Sequence, residues 1–160
     1  MDSNILLKIV GDGQDKEELE AFVKSSKSRN IEFCGYKSGN ELEHLIRNSL
    51  FIIVPSEWYE NCPYTIIEGM SFGKPVIGSD LGGIKELVKD KWNGLLFKHG
   101  DEKDLAKKIG YLLNNRQLIE KYSQNALEFA INNFNSNLYY KKLIKLYYNS
   151  IEDLKPERSL

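Results

Sequence analysis

The chain reads as an α/β domain, a parallel sheet doubly wound with helices, and three features of the sequence predict it. Short apolar runs bounded by glycine, proline, aspartate or serine alternate with segments of helical period. The runs are almost continuously apolar, as strands buried on both faces are. They come one per helical segment, which implies parallel βαβ units with right-handed crossovers.

The expected strands are Ile5 to Val10, Ile31 to Cys34, Leu50 to Val54, Pro75 to Ile77 and Gly94 to Phe97. Helical patterns fall between them: Leu19, Phe22 and Val23; Leu42, Leu45 and Ile46; Ile66, Ile67 and Met70; Ile84, Leu87 and Val88. After Phe97 the strands stop. Leu105, Ile109, Leu112 and Leu113 predict a helix entered through Asp101, and Leu118, Tyr122, Ala126, Phe129 and Ala130 predict another. A last helix, from about Asn137 to Leu154, carries Tyr139, Tyr140, Leu143, Ile144, Leu146, Tyr147, Tyr148 and Ile151. These cover more than one helical face, more than packing against a single sheet requires. The surplus predicts self-association through this helix, unless the tyrosines snorkel over the domain's own core. The expected organisation is an α/β domain over 1–135, a C-terminal helix over 136–154 and a tail over 155–160.

With 160 residues, the chain can bury roughly 70% of its unfolded surface. Its 22 Lys and Arg against 23 Asp and Glu leave no basic field, so nucleic acid is not an expected partner. Cys34 and Cys62 form neither a disulfide framework nor the paired spacing of a zinc site. Met1-Asp2-Ser3-Asn4 places no basic stretch ahead of its short apolar run, and no run reaches the roughly 18 apolar residues of a membrane span. The expected address is a reducing cytoplasm. No metal or other cofactor is expected, because His44 falls in a helical pattern, His99 in a loop, and neither has ligand spacing.

In open parallel sheets, ligands bind beyond the carboxyl ends of the strands. Those ends carry Gly11-Asp12-Gly13, then Gly35-Tyr36-Lys37, then Pro55-Ser56 with Glu60-Asn61-Cys62-Pro63, then Asp80-Leu81-Gly82-Gly83. One such segment is a turn; four predict the rim of a cleft. Gly11-Asp12-Gly13 also begins a dinucleotide fingerprint, with Glu32 about twenty residues downstream. Lys16 stands where the third glycine belongs, so a tight turn is the simpler reading. Pro63 is suited to the first position of a helix, which leaves the amides of Tyr64 and Thr65 free to face an anion. Glu68 lies nearly opposite the stripe of Ile66, Ile67 and Met70, where a solvated surface glutamate is the alternative. Glu60, just ahead of the same helix, weakens that alternative. Two carboxylates beside an anion-friendly helix start suit a ligand with hydroxyls, such as a sugar or a ribose, better than a bare phosphate.

The segment from Pro55 to Ile77 resembles the signature of the group 1 glycosyltransferases (family 4, GT-B fold). Their E-x7-E motif falls on Glu60 and Glu68, their GG-x-x-E on Gly82-Gly83-Ile84-Lys85-Glu86, and the strand that follows on Asn93-Gly94-Leu95-Leu96-Phe97. Val10-Gly11-Asp12-Gly13 and Phe33-Cys34-Gly35-Tyr36 also fit, so the resemblance runs over about residues 5 to 150. It implies a Rossmann-like half of a GT-B fold and transfer of a sugar from a nucleoside-diphosphate sugar to an acceptor, with retention of configuration and no metal. Glu60 would contact the transferred sugar near the reacting centre, and Glu68 the ribose hydroxyls. Asn61, Cys62, Pro63 and Tyr64 replace the commoner Gly-Phe-Gly version, and their amides would meet sugar and phosphate. Gly35, Tyr36 and Lys37 would hold the base, and Gly11 and Gly13 would line the donor site. Gly82 and Gly83 would shape the floor of the cleft or serve as a structural turn.

In that family an Arg and a Lys that grip the diphosphate come from a strand and loop ahead of the Gly-Asp-Gly segment. Both are absent from this sequence, as is the amino-terminal acceptor domain. The expectation is a fragment that binds nucleotide weakly and transfers no sugar alone, from an enzyme that the resemblance allows to be peripheral to a membrane. A nucleotide-sugar-binding or regulatory module and a sugar-nucleotide epimerase of the same fold are the competing readings.

Overall fold

The computed structural model describes residues 5–26 and 30–153. Its elements run β1 (Leu7–Val10), α1 (Lys16–Ser25), β2 (Ile31–Gly35), α2 (Gly39–Arg47), β3 (Ile52–Val54), α3 (Tyr64–Ser71), β4 (Val76–Ser79), α4 (Ile84–Leu87), β5 (Gly94–Phe97), α5 (Glu102–Leu113), α6 (Arg116–Asn133) and α7 (Ser136–Asp153). All strand pairs are parallel: β1 with β2, and β3, β4 and β5 in that order. The expected tail over 155–160 lies outside the described residues. The chain divides into two compact units, Met1–Asn48 and Ser49–Leu160.

The second unit is a sheet covered on both faces. Alternation along the strands decides which side chain goes where. Val54 and Val76 pack with Ile66 and Met70 of α3, Ile84 and Leu87 of α4, and Ala126 and Ala130 of α6. Ile77, Leu95 and Phe97 point the other way, into Leu112 of α5 and Ile119 and Tyr122 of α6. Only β4 is buried at every position, as expected of the middle strand. A methyl group on Gly69 would stand 2.3 Å from Ile52 Cδ1, so the missing side chain lets α3 seat closely on β3. The Asp101 side chain accepts from the amides of Lys103 and Asp104, which starts α5 where the sequence predicts. Asn93, fully buried, accepts from Lys89 N–H and donates to the Leu87 carbonyl, which closes the turn between α4 and β5.

The first unit departs from the expectation of strands buried on both faces. Leu7, Lys8 and Val10 of β1 are exposed, and Ile46 is the sole buried residue of the unit's described part. Lys8 and Glu32, opposite each other in register, form an ion pair at 3.3 Å on one face, while Leu7 belongs to the other. One face of this two-stranded sheet is therefore charged. Leu19 and Phe22 of α1, expected to be covered, are exposed as well. Among the described residues, no helix is long and apolar enough to cross a membrane.

Candidate active site

The candidate residues of the second unit converge on one loop system beyond the ends of β3 and β4. The chain leaves β3 at Val54, passes Pro55 and Ser56, and returns at Glu60 to enter α3. Proline 63 precedes α3 rather than opening it: its φ of −69° and ψ of 104° are extended, and Tyr64 is the first helical residue. This corrects the sequence expectation by one position. With an extended ψ, Pro63 still carries the carbonyl that accepts from Ile66 N–H at 3.0 Å, so the helix start is intact. The first-turn amides of Tyr64 and Thr65 lie at the positive end of the helix dipole. Tyr64, Thr65, Asn61 and Cys62 are exposed, and Pro63 is buried beneath them. Both cysteines are free thiols.

Glu68 stands on the exposed side of α3, away from buried Ile66, Gly69 and Met70, as its position on the helical wheel predicts. Glu60 is partly buried and tethered. Its Oε1 accepts from Ser56 Oγ at 2.5 Å, and its backbone carbonyl accepts from Gly83 N–H at 2.7 Å. Ser56 is held in turn: its carbonyl accepts from Oγ of fully buried Ser79 at 2.7 Å. Gly82 adopts a φ of +50°, in the left-handed region that favours glycine. The glycine pair lies directly on the backbone of Glu60 and Asn61. Of the two roles expected for it, the structural one is thus visible in the backbone contacts. Asp80, next to Ser79, accepts from His99 N–H at 3.0 Å. That bond, opposed by partial burial, holds the Asp80 carboxyl below its ordinary range. His99 therefore serves a loop contact.

In the first unit, Gly11 and Gly35 are joined directly by Gly11 N–H donating to the Gly35 carbonyl at 2.9 Å. Both have left-handed φ values, +136° and +66°. The Asp12 carboxylate caps Gly13 N–H at 3.1 Å and pairs with Lys16 Nζ at 3.4 Å, so the Gly-Asp-Gly segment closes on itself as a tight turn. Tyr36 is exposed, and Lys37 reaches Glu41 Oε1 at 3.2 Å. Desolvation, reinforced by Glu32, pushes the Cys34 thiol up, away from thiolate chemistry. Among the described residues, no group of three or more His, Cys, Asp and Glu is arranged to hold a metal ion.

Residues 1–129 match the family of glycosyl transferases group 1. The chain belongs to that family. It is 36% identical over 129 residues to an uncharacterized glycosyltransferase of Methanocaldococcus jannaschii, covering 81% of this chain and 36% of that protein. It is 27% identical over 142 residues to the N,N'-diacetylbacillosaminyl-diphospho-undecaprenol alpha-1,3-N-acetylgalactosaminyltransferase of Campylobacter jejuni, covering 89% of this chain and 37% of that one. The chain thus spans little more than a third of the length of these curated relatives. Among solved structures, HepE of Anabaena in complex with UDP superimposes with a TM-score of 0.83 at 22% identity, over 91% of this chain and 41% of that one. A glycosyltransferase from Rickettsia africae gives a TM-score of 0.82 at 25% identity, over 98% and 41%. The fold is that of a GT-B glycosyltransferase domain, as the sequence predicts.

In this group 1 glycosyltransferase chain, the E-x7-E and GG-x-x-E motifs are one physical unit, because Gly83 and Glu60 share a backbone hydrogen bond. Sequence reasoning finds the glutamates and the glycines and sets Ser56 on the cleft rim, but gives no role to Ser56 or Ser79. Their link arises only from strand register, which sets two hydroxyl residues 23 apart in sequence at the ends of adjacent strands.

Proposed function

We propose that the loop from Ser56 to Tyr64, with α3, binds a nucleoside-diphosphate sugar and takes part in transfer of the sugar to an acceptor with retention of configuration. The observation that carries this reading is the disposition of the two glutamates about the start of α3. Glu60 is fixed just before the helix, and Glu68 is exposed on its first two turns. Glu68 accepts hydrogen bonds from the ribose hydroxyls, and Glu60 from a hydroxyl of the sugar. The amides of Asn61, Cys62 and Tyr64 meet sugar and phosphate, while the helix dipole favours the negative charge that grows on the diphosphate as the glycosidic bond breaks. In the reaction the anomeric carbon exchanges its bond to the diphosphate oxygen for one to the acceptor oxygen, and the acceptor's proton leaves with the nucleoside diphosphate. No metal is needed for this set of contacts.

UDP is the first nucleotide to try, since HepE and its UDP-glucose complex provide the fold match. Calorimetric titration of the chain with UDP, GDP and ADP, and with their glucose conjugates, tests the reading. One nucleoside diphosphate should bind above the others, and Glu68→Ala should weaken it. Equal, negligible heats for all six would sink the proposal.

A further inference from the structure

Glu60 is restrained at both ends, by Ser56 at its carboxylate and by Gly83 at its carbonyl, and neither Ser56 nor the Ser79 that holds it has a role so far. We propose that Ser56 is a positioning residue for the Glu60 carboxylate, itself set in place by Ser79. The inference rests on the reading of Glu60 as the sugar-contacting glutamate and adds how that contact is prepared.

The geometry runs in one direction. β3 and β4 are neighbours in parallel register, with Val54 opposite Gly78. The next residue of β4, Ser79, is fully buried, and its hydroxyl donates to the Ser56 carbonyl at 2.7 Å. That bond fixes the backbone of Ser56 two residues beyond the end of β3. From there Ser56 Oγ donates to Glu60 Oε1 at 2.5 Å. The pair is four residues apart but lies in a loop, so helical spacing does not explain it. The Gly83 N–H on the Glu60 carbonyl fixes the other end of the residue. An ionised carboxylate has about four acceptor positions. Ser56 uses one, and among the described residues none donates to Oε2, which is left with the remaining lone pair of Oε1 for hydroxyl donors of a sugar. A glutamate held in one rotamer also loses less side-chain entropy when the ligand arrives.

The relay predicts an effect confined to the sugar. UDP and UDP-glucose are titrated into the wild-type chain and into Ser56→Ala, Ser56→Thr, Glu60→Ala and the Ser56→Ala/Glu60→Ala double variant. The ratio of the two affinities measures the gain from the sugar. Ser56→Ala should cut that ratio several-fold while leaving UDP affinity unchanged, and Ser56→Thr, which keeps the hydroxyl, should restore it. With Glu60→Ala already present, Ser56→Ala should have no further effect. A Ser56→Ala variant that weakens UDP and UDP-glucose equally, or that leaves the ratio intact while Glu60→Ala abolishes it, overturns the relay. A second readout needs no ligand. In unliganded Ser56→Ala the Glu60 side chain should gain rotameric freedom, measured by carbon-13 relaxation at its Cγ, and an unchanged rotamer overturns the relay independently. If Glu60 is freed but Glu60→Ala leaves the sugar ratio untouched, the hydrogen bond exists and the sugar contact does not. That result refutes the reading of Glu60, and the positioning role with it.

Discussion

A methyl group placed on Gly83 would stand 2.1 Å from the carbonyl oxygen of Asn61, so the loop after β4 and the loop before α3 meet backbone to backbone. The contact is sealed by Gly83 N–H on the Glu60 carbonyl, and Gly82 closes in beside it, its own missing methyl 2.9 Å from that same oxygen. No side chain can relax such a clash, because both partners are main chain. The glycine pair therefore sets where Glu60 sits.

Gly83→Ala should displace residues 60–61 and destabilise the chain by about 1–3 kcal/mol, the usual cost of forcing an extra methyl into packed structure. Gly13→Ala is the matched control: it has open space within 4 Å and no left-handed φ, so its effect should stay within about 1 kcal/mol in either direction. Urea unfolding of both variants measures the difference. Equal stabilities would mean that the loops do not touch in solution.

The two glutamates should separate in binding experiments. Glu68→Ala should weaken nucleoside diphosphate binding by roughly 1.5–3 kcal/mol, the range for a hydrogen bond to a charged acceptor. Because Glu68 is exposed and off the core stripe, the same change should leave the melting temperature nearly unmoved. Glu60→Gln should instead reduce turnover of bound donor more than it reduces binding of the bare nucleotide. Loss of nucleotide affinity in Glu60→Gln with normal turnover of bound donor would reverse the assignment.

Asp80 makes the acid stability of the loop testable. The His99 backbone amide, chiefly, holds its folded-state pKa below the ordinary value, against the opposing effect of partial burial. A depressed carboxylate pKa contributes stability in full above the unfolded value, roughly pH 4, and loses it as pH falls through the folded value. Asp80→Asn retains an oxygen to accept from His99 N–H but cannot titrate. Its stability should fall less steeply than wild type below about pH 4 and run parallel to it near neutrality. Identical acid limbs in the two unfolding series would remove Asp80 from the list of groups that set acid sensitivity.

How far the sequence reaches is clearest in α3. The stripe of Ile66 and Met70, the outward position of Glu68 and the helix start beside Pro63 all follow from periodicity and proline chemistry, with an error of one residue at the start. β4 and β5 are recognisable because their burial comes from local apolar runs. β1 misleads for the same reason: Leu7, Ile9 and Val10 look like a core strand, yet Lys8 opposite Glu32 makes one face polar and Leu7, on the other face, is exposed too, and neither the pairing partner nor the cover is visible in a run read alone. The Ser79–Ser56–Glu60 chain was not legible at all. It depends on residues 23 apart in sequence being brought together by strand register, and hydroxyls of that kind carry no periodic signal.

The last helix should drive self-association. Tyr139, Tyr140, Leu146, Tyr147, Tyr148 and Ile151 of α7 are between 58% and 65% exposed, so the tyrosines do not lie over the domain's own core. Among the described residues, α7 supplies no member of either core cluster, and residues up to Asn135 include all of those clusters. A chain ending at Asn135 should therefore keep its fold. Burying one such side chain is worth on the order of 1.5–3 kcal/mol before the cost of association, so a few pairs per interface suffice for a measurable dimer. Sedimentation velocity over a concentration series should show the whole chain shifting toward a dimer and the chain ending at Asn135 remaining a monomer. Replacing Tyr140 and Tyr147 together by serine should move the whole chain toward the monomer without changing its far-ultraviolet circular dichroism. If whole and shortened chains both sediment as monomers at every concentration, the exposed face of α7 is not a self-association surface.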